Sequence, residues 1–385
     1  MESLFLNEKF AVLLALVVSI AVTWFSIPIV VRVATLRNLT DVPGKRKIHK
    51  REIPTLGGIA IFAGFTTSFL MSIDGFMPGA NYFTFALLLL FFIGMKDDLI
   101  PVDPKKKLFA EIIAAICLIY FTDIRITNFH GFMGLQEIPM WLTYVSTIFL
   151  MIVIINAVNL SDGIDGLAAS IGIVASVTFG VCFFLSGNKA YTIMAAALTG
   201  TLVAFLRYNL SNGKNKIFMG DTGSLIIGFL IAAMTIRFNE VHAASSAFYE
   251  LDSAPAISIA ILVVPLFDTL RVFIIRLMRG QHPFIADNRH IHHLMLRTGY
   301  SHKESTFIIV IAQIFIIALA FSLDHMGILS LALVLLMVCL LITGVIYLLV
   351  YRTYLMNHRS LSKDGPGTLW VILNIHRFFH PGKAV

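Results

Sequence analysis

Charged residues are scarce in this sequence. Asp, Glu, Lys and Arg make up 13% of its 385 residues, whereas an average soluble domain holds about 25%. Hydrophobic residues account for 58%, and the mean hydropathy is +0.86. A single water-soluble core cannot bury that much apolar side chain. The composition therefore excludes a soluble globular protein and predicts a polytopic membrane protein.

Cysteine is rarer still, and no cleavage site follows the first apolar run. The three cysteines, Cys117, Cys182 and Cys339, stand singly within apolar runs. This argues against a disulfide framework or a zinc site and predicts buried apolar thiols. The first apolar run, 10–33, is too long for the core of a secretory signal and lacks a small-residue cleavage site. It is therefore expected to remain as a membrane span.

Long apolar runs, by contrast, are abundant. Crossing the hydrocarbon layer takes about 20 residues of helix, and backbone groups in lipid must pair internally, so each run predicts a helix. Eleven candidates lie near residues 10–33, 57–73, 78–95, 106–122, 141–160, 164–185, 190–206, 217–236, 255–275, 306–323 and 327–350. We expect an all-α membrane bundle, with residues 1–350 as one integral-membrane domain. Residues 351–385 are expected to form a cytoplasmic tail that can associate with the membrane surface.

The basic residues predict the orientation of this bundle. If the amino terminus lies outside and the spans alternate in direction, all but four of the 29 Lys and Arg residues fall in inner segments. The outer segments keep only Lys9, Arg125, Lys189 and Arg237. Cytoplasmic loops of membrane proteins are enriched in Lys and Arg. The asymmetry therefore predicts an outer amino terminus and a cytoplasmic carboxyl terminus.

Five polar clusters interrupt the apolar pattern, and all five fall at the predicted cytoplasmic face. They read KIHKREIPTLGG from residue 47, KDD from 96, NAVNLSDGIDG from 156, FMGDTGSL from 218 and DNRHIHH from 287. The predicted outer loops hold nothing comparable. Polar groups gathered at one membrane face predict a chemically active site on that face.

The cluster from residue 156 has a regular spacing. Asn156, Asn159, Asp162 and Asp165 recur every three residues at the end of an apolar run. Residues three apart are neighbours on a helix, so these four form a polar strip. Hydrogen bonding between helices, or a solvated helix end, is the alternative. Two aspartates are hard to satisfy in that way, and at membrane depth such groups usually face a cavity or a partner.

Asp97, Asp98 and Asp221 are candidates for a metal site. The adjacent carboxylates of Asp97 and Asp98 repel each other unless a cation is present, although alone they could form an ordinary solvated loop. Asp221 begins an apolar run between two glycines, which allow the backbone to approach a ligand closely. Carboxylates from separate segments, with oxygen as the only ligand atom, favour Mg²⁺ or Mn²⁺ over zinc. Such an ion brings phosphates with it, so phosphate chemistry is predicted.

The histidine cluster consists of His290, His292 and His293 and follows Arg289. No cysteine lies nearby, and the spacing is not that of a usual zinc site. Histidines beside an arginine can instead bind a phosphate or a sugar, and a polar loop without a role is the alternative. We interpret this cluster as part of a binding site for an anionic or sugar ligand.

The basic stretch that contains His49 and Lys50 also has two interpretations. Taken alone, it is a juxtamembrane sequence of the kind that contacts anionic lipid. Its continuation runs through Pro54 into Gly57 and Gly58. A rigid turn that leads into paired glycines predicts that the next span packs closely against a site.

These five clusters, in this order, resemble the polyprenyl-phosphate N-acetylhexosamine-1-phosphate transferase family of bacteria, over roughly residues 41–302. The resemblance implies a multi-pass inner-membrane enzyme that requires Mg²⁺, with Mn²⁺ as an alternative. It implies that UDP-N-acetylglucosamine and undecaprenyl phosphate react to give the lipid-diphosphate sugar and UMP, at the first membrane step of cell-surface polysaccharide synthesis. The peptidoglycan branch, which transfers N-acetylmuramoyl-pentapeptide phosphate, usually has three consecutive histidines. Here Ile291 interrupts the run, so the N-acetylglucosamine branch is favoured.

The resemblance also implies roles for particular residues. Asp221 and Asp98 are the implied metal ligands, and Asp97 lies with them at the lipid-phosphate end. The implied catalytic set is Asp97, Asp98, Asp162, Asp165, His290, His292 and His293. The implied substrate-binding set is His49, Lys50, Asn156, Asn159, Asn209, Phe218 and Arg289, with Asn209 and Phe218 at the uracil. The lipid bilayer is a further partner, no nucleic acid is expected, and a homodimer stays open.

A proton-coupled secondary transporter is the rival from another class, because it too would carry aspartates within its spans. Transporters tend to place such residues near the middle of the membrane, often within repeats. In this sequence they crowd one face. A purely structural membrane protein would leave the five one-sided clusters unexplained, so an enzyme is favoured.

Overall fold

The computed structural model describes residues 8–41, 53–73, 75–131, 138–243, 251–282 and 289–359. Within these residues the chain forms thirteen α-helices, a short 3-10 turn and one pair of very short strands. The elements are α1 (Glu8–Leu36), β1 (Thr40–Asp41), β2 (Ile53–Pro54), α2 (Gly57–Ser72), α3 (Ala80–Leu99), α4 (Pro104–Thr122), α5 (Met140–Leu160), α6 (Leu167–Leu185), α7 (Lys189–Asn209), α8 (Gly220–Ala243), α9 (Ala254–Ile261), α10 (Val263–Met278), α11 (Ile291–Arg297), α12 (His302–Ser322), the 3-10 turn (Asp324–Met326) and α13 (Ile328–Arg359). The predicted helical architecture is confirmed. Most of the predicted tail lies outside the described residues.

Seven of these helices are long and apolar enough to cross a membrane: α1, α5, α6, α7, α8, α12 and α13. Taken together, α9 and α10 pass the same test as one bent span, which would make eight. The remaining predicted runs also form helices, but α2 has only 16 residues, and α3 and α4 each carry charges at one end. The prediction of a polytopic membrane protein is confirmed. The count of eleven spans, their orientation and the single domain 1–350 stay predictions.

Helix α8 lies at the centre of the bundle. Its apolar window is 78% buried, against 28% for α1 and α13, because α2, α3, α5 and α6 pack around it. Phe229 of α8 contacts Phe83 of α3, with ring centroids 5.4 Å apart. A helix that is apolar on every side belongs inside a bundle. Side chains at the start of α8 are therefore held by the most enclosed of the seven spans.

The predicted run 255–275 is not one straight helix. It forms α9 and α10, which meet at 82°. Pro265 gives the reason, because it has no amide hydrogen to donate to the carbonyl of Ile261 four residues earlier. The side-chain amide of Gln313 in α12 donates to that carbonyl instead, over 2.8 Å. The break therefore leaves the Ile261 carbonyl paired, and it turns α10 away from the line of α9.

The entrance to α2 packs against the segment that leads into α8. Phe218 donates its amide to the carbonyl of Pro54 over 2.8 Å, and Gly57 donates to the carbonyl of Phe218 over 2.9 Å. Gly58 donates to the carbonyl of Met219, also over 2.9 Å. A Cβ atom on Gly57 would collide with the carbonyl of Phe218, and one on Gly58 would collide with Thr222 and Gly223 in the first turn of α8. The close packing predicted from the paired glycines is thus present at the start of α8.

Candidate active site

Asp98, at the end of α3, caps the first turn of α8. One oxygen of its carboxylate accepts the amide of Asp221 over 2.6 Å. The other accepts the amide of Thr222 over 3.1 Å and its hydroxyl over 2.5 Å. The first amides of a helix have no partner within the helix and carry its positive dipole end, so a carboxylate there is stabilising. Asp98 thereby fixes the backbone of Asp221, and its predicted contact with a metal ion stays a prediction.

The residue before Asp221 has to be glycine for two reasons. Gly220 has a φ of +72°, in the left-handed region that favours glycine. A Cβ atom at Gly220 would also collide with the carbonyl oxygen of Thr55 and with the carboxylate of Asp98. Gly220 therefore allows α3, α8 and the segment before α2 to meet at one point.

Asp221 lies among polar side chains from three helices. Its Oδ1 is 3.0 Å from Nζ of Lys107 in α4 and accepts from Nδ2 of Asn159 in α5 over 2.6 Å. Nζ of Lys107 also lies 3.3 Å from Oδ2 of Asp97. The Asp221 side chain is 37% exposed, against 13% for Asp97. Asp221 is therefore the acid of this pair that an incoming ligand reaches more easily.

Asp97 is held from two directions. Its Oδ1 accepts the amide of Val102 over 2.6 Å, while Oδ2 faces Lys107. The carboxyl groups of Asp97 and Asp221 also contact each other. Two carboxyl groups in contact repel when both are ionised, so this pair is stable with a shared proton or with a cation beside it. Lys107 is the cation that the described residues supply.

Asp162 is the fourth acid of this group. It lies in the loop after α5, residues 161–166, which we call the aspartate loop. Burial raises the pKa of its carboxyl well above the ordinary value, and the negative charges of Asp221, Asp98 and Asp165 raise it further. No described residue donates a hydrogen bond to the Asp162 carboxyl. The structure thus brings Asp97, Asp98, Asp162 and Asp221 together from three separate segments.

Asp165 has cations of its own. Nζ of Lys216 lies 2.6 Å from its Oδ2, and Nδ1 of His302 lies 3.5 Å from the same oxygen. Burial acts to raise the pKa of this carboxyl, but the hydrogen bonds and charges of His302 and Lys216 outweigh it and hold the pKa below its usual value. The hydroxyl of Thr306 donates to the Asp165 carbonyl over 2.9 Å. Asp165 therefore anchors the aspartate loop to the start of α12, and its catalytic role stays a prediction.

Two of the predicted substrate-binding amides have partners within the protein. Asn209 is 4% exposed; it accepts the amide of Gly166 over 2.6 Å and donates to the carbonyl of Ile217 over 2.9 Å. It therefore ties the aspartate loop to the segment before α8, and the contact with uracil stays a prediction. Asn156 donates over 2.7 Å to Glu111, a buried acid of α4.

The three histidines stand at the start of α11 and reach the aspartate loop. Nδ1 of His290 lies 3.0 Å from Oδ2 of Asp268, and the His290 ring stacks on that of His292 with centroids 5.7 Å apart. The ring of His292 lies directly on Gly163, where any side chain would collide with it. The ring of His293 is 4.2 Å from that of His292. The histidine and aspartate clusters, separated in sequence, are neighbours in space.

One of these histidines, His292, does not carry a positive charge. Burial and, to a smaller extent, the neighbouring charge of His293 lower the pKa of His292 to about 3. His292 is therefore neutral at pH 7. It can offer a ligand a hydrogen bond, but not a positive charge.

The remaining predicted residues lie at the edge of the group or outside the described residues. Phe218 is half-buried, with Nζ of Lys216 5.7 Å from its ring centroid. Arg289 lies next to the histidines, and its Nη1 donates to Gln281 over 3.2 Å. His49 and Lys50 lie outside the described residues, so their roles stay predictions.

Several charged residues of this region were missed by motif analysis. They are Lys107, Glu111, Lys216, Asp268, Arg271 and His302. Asp268 and Arg271 form a pair of opposite charge three residues apart within an apolar run, with the guanidinium 2.7 Å from the carboxylate. Charges inside membrane segments are costly unless they are paired and usually mark function. That signal could have identified this pair from the sequence.

Among the described residues, no three His, Cys, Asp or Glu side chains are arranged to hold a metal ion on their own. The acids that offer the most to an ion are Asp221, because of its exposure, and Asp162, which no described residue bonds. Mg²⁺ usually keeps one or two protein carboxylates and completes its shell with water and phosphate. Two carboxylates, with water and substrate phosphate as the other ligands, would match this coordination.

Known proteins match the part of the chain that builds this site. The model of glycosyl transferase family 4 matches residues 80–239, from α3 nearly to the end of α8. The undecaprenyl-phosphate alpha-N-acetylglucosaminyl 1-phosphate transferase of Yersinia pestis is 29% identical over 284 residues, which cover 73% of this chain and 76% of the relative. The protein of the same name in Escherichia coli strain K12 is 29% identical over 286 residues, which cover 73% and 75%.

A relative from Bacillus subtilis strain 168 is the "probable undecaprenyl-phosphate N-acetylglucosaminyl 1-phosphate transferase". It is 30% identical over 299 residues, which cover 77% of this chain and 81% of the relative. Similarity of that extent reaches beyond the matched family region to most of both chains. Together with the apolar helices, it shows that the chain is an integral membrane enzyme of glycosyl transferase family 4.

Proposed function

We propose that this enzyme transfers N-acetylglucosamine-1-phosphate from UDP-N-acetylglucosamine to undecaprenyl phosphate and releases UMP. The new lipid-diphosphate sugar would begin the synthesis of a cell-surface polysaccharide. The reaction would take place at the cytoplasmic face of a bacterial inner membrane, where the basic loops are predicted to lie. The names of the three relatives support undecaprenyl phosphate as the acceptor and N-acetylglucosamine 1-phosphate as the group that is transferred.

The convergence of Asp97, Asp162 and Asp221, with Lys107 between Asp97 and Asp221, carries this proposal. The donor diphosphate and the lipid phosphate are both anionic, so they repel each other as they meet. Phosphoryl transfer depends mainly on positioning and on neutralising that charge. A lysine together with acids that could hold a cation meets both requirements at one end of the bundle.

The donor set fits Mg²⁺, the ion that the chemistry calls for. Four carboxyl groups meet here, but Lys107 pairs only with Asp97 and Asp221, and this excess of acidic groups favours a divalent cation. Asp221 and Asp162 would hold it, and when bound it would supply positive charge to the phosphate oxygens. Lys107 and Asn159 keep the Asp221 carboxylate in place. Asp98 holds the backbone from which Asp221 projects.

The acceptor phosphate needs orientation more than deprotonation. A phosphate monoester has its second pKa near 6, so at neutral pH the lipid phosphate is already largely dianionic. Asp97 would therefore orient Lys107 and the nucleophile rather than act mainly as a base. His290 and His293, with Arg289 beside them, would bind the diphosphate or the sugar of the donor, and Lys50 would reach the nucleotide.

An assay of the purified protein tests the proposal. Undecaprenyl phosphate is supplied with a panel of UDP-sugars, with Mg²⁺ or with EDTA, and UMP release is measured. We expect Mg²⁺-dependent turnover with UDP-N-acetylglucosamine and a loss of at least a thousandfold in Asp221→Ala. The control is Asp123→Ala, an exposed acid that pairs with Arg125 in the turn after α4, away from the site. Its activity should match that of the wild type.

Other results would replace this function with one of its rivals. Turnover only with UDP-N-acetylmuramoyl-pentapeptide would place the enzyme in the peptidoglycan branch. Proton-coupled uptake by reconstituted protein, without UMP release from any donor, would favour a transporter. Full activity of Asp221→Ala would show that the acidic group is not the active site.

A further inference from the structure

Asp268, on α10, is buried and binds both Arg271 of its own helix and the segment that begins with the histidines. It is 7% exposed. Its carboxylate meets Nδ1 of His290 at 3.0 Å and accepts the amide of Ile291 at 3.0 and 3.1 Å. It also lies 2.7 Å from Nη2 of Arg271. One acid thus fixes both the ring of His290 and the peptide bond that follows it.

Arg271 also stabilises the position of His290. Its Nη2 also donates to the carbonyl of Arg289 over 2.5 Å, so the backbone on both sides of His290 is held. Its Nη1 donates to the hydroxyl of Tyr347 in α13 over 2.7 Å. The guanidinium also lies 5.8 Å from the centroid of the Tyr347 ring. The position of His290 therefore depends on a helix at the carboxyl-terminal end of the bundle.

The bond to Asp268 decides which nitrogen of His290 is available. An ionised carboxylate can only accept a hydrogen bond, so Nδ1 must carry the proton. Nε2 is then the nitrogen left for a ligand. The stacked ring of His292 joins His290 to Gly163 of the aspartate loop, next to Asp162. His290 is thus held at the border between the two clusters of the site.

We propose that Asp268, supported by Arg271, is a positioning residue of this transferase: it fixes the tautomer and rotamer of His290 so that Nε2 faces the nucleotide sugar. The proposal rests on the proposed function and adds a residue to the same site. A carboxylate that orients a proton-transferring histidine can be worth about 10⁴-fold in kcat. Here the histidine binds a ligand and does not have to move a proton, so a smaller effect follows.

The first test is a double-mutant cycle. We expect Asp268→Asn to lower kcat/KM for UDP-N-acetylglucosamine about 10- to 100-fold and to leave KM for undecaprenyl phosphate within twofold. In a His290→Ala background, Asp268→Asn should cause no further loss, because its effect acts through His290. Losses that multiply in the double variant would mean that Asp268 acts independently of His290, and would overturn the proposal.

The matched control is Asp324→Asn. The carboxylate of Asp324 also binds two backbone amides, those of Asp252 and Ser253, but away from the histidines. Asp324→Asn should retain wild-type activity. A loss in Asp268→Asn alone would then show that removing an acid that binds backbone amides does not in general impair the enzyme. An equal loss in both variants would contradict a specific role for Asp268.

A second measurement does not depend on turnover. Histidines are modified with diethylpyrocarbonate in the folded, detergent-solubilised protein, and the rate at His290 is followed by mass spectrometry. We expect His290, 5% exposed in the structure, to react slowly in the wild type and at least threefold faster in Asp268→Asn. An unchanged rate would overturn the proposal. If the wild type released no UMP, the proposed function would fail, and this rate would still decide whether Asp268 holds His290.

Discussion

Lys107 is the residue on which the balance of charge in the site depends. It lies between Asp97 and Asp221, within 3.3 and 3.0 Å of their oxygens, and its side chain is only 15% exposed. A half-enclosed ion pair interacts more strongly than one in free solvent, because water screens it less. Without Lys107 the two carboxyl groups would face each other with no positive charge between them.

Replacement of this lysine should therefore be severe. We expect Lys107→Met to lower kcat at least 100-fold, about 2.7 kcal/mol of activation free energy, in the UMP-release assay. The control is Lys106→Met, one residue earlier on an exposed face of α4, which should stay within twofold of the wild type. Similar activities for the two variants would refute the role of Lys107.

Asp97 offers a test of orientation against base catalysis. We expect Asp97→Asn to lose more than tenfold in kcat, above about 1.4 kcal/mol, because its contacts with Lys107 and Val102 weaken. The loss should be equal at pH 7 and pH 8.5, since the lipid phosphate is already deprotonated at both. A loss that shrinks steadily as the pH rises would indicate a base. A loss below tenfold would remove Asp97 from any essential role.

The site residues that the sequence predicted differ from those it missed in how far along the chain their partners lie. Asp97, Asp162 and Asp221 stand in short polar clusters, which are conspicuous against an apolar background. Lys107 and Asp268 gain their meaning from partners far away in the chain, and hydropathy along the chain carries no information about pairing in space. The same limit applies to Asn209, whose two backbone partners could not be inferred from its own surroundings in the sequence.

At the level of helices, the meeting of α3 and α8 determines where Asp221 stands. Asp98 from one helix bonds the first amides of the other, and Gly220 leaves the space for that contact. The sequence predicted both helices and the cluster at each end. It did not predict that Asp98 is a cap, because a carboxylate before a loop is equally compatible with solvent, metal or a helix end.

Alanine at Gly220, which lies at this junction, should destabilise the protein, whereas alanine at Gly344, which lies away from it, should not. Gly220→Ala should destabilise the protein by about 1–3 kcal/mol, because it combines a left-handed φ with a collision. Gly344→Ala, within α13 and with open space around it, should be neutral or stabilising by up to about 1 kcal/mol. Thermal unfolding in detergent measures both.

Activity adds a further criterion for this junction. Gly220→Ala should lose most of its UMP release even at temperatures where it stays folded, since its first effect is on Asp221. A variant with reduced stability but normal turnover would show that the junction supports the fold and not the site.

The break between α9 and α10 shows a limit of sequence prediction at this scale. Proline is tolerated within membrane helices, so Pro265 alone does not distinguish a straight span from a broken one. The carbonyl that Pro265 leaves without an amide partner is bonded by Gln313, from another helix. A hydropathy pattern therefore located the apolar run correctly and missed its 82° bend.

For the whole molecule, buried histidines link stability to pH. The pKa of His292 is lowered by burial to about 3, below the value of about 6.5 expected in an unfolded chain. The unfolded state therefore binds the proton first, and stability falls as the pH drops below 6.5. The loss continues until the pH approaches 3.

The expected effect can be separated from that of the acids. Between pH 7 and pH 5 the protonation of His292 should by itself lower the free energy of unfolding by about 1–2 kcal/mol. His292→Gln should remove that part of the slope. Asp165, whose pKa is held below its usual value, stabilises the fold at neutral pH, and that stabilisation is lost mainly below pH 4. An equal slope in both proteins, from thermal unfolding across this pH range, would contradict the burial of His292.

The cap formed by Asp98 also restricts how the enzyme can move during a reaction cycle. Because the side chain of Asp98 in α3 binds the backbone of α8, the two helices should move together, and α8 also packs against α2, α5 and α6. The carboxyl groups that these two helices contribute, Asp97, Asp98 and Asp221, should therefore keep their relative positions during a reaction cycle. The histidine half of the site is held by a separate set of contacts, from Asp268 and Arg271 of α10, so the two halves are fixed by different helices.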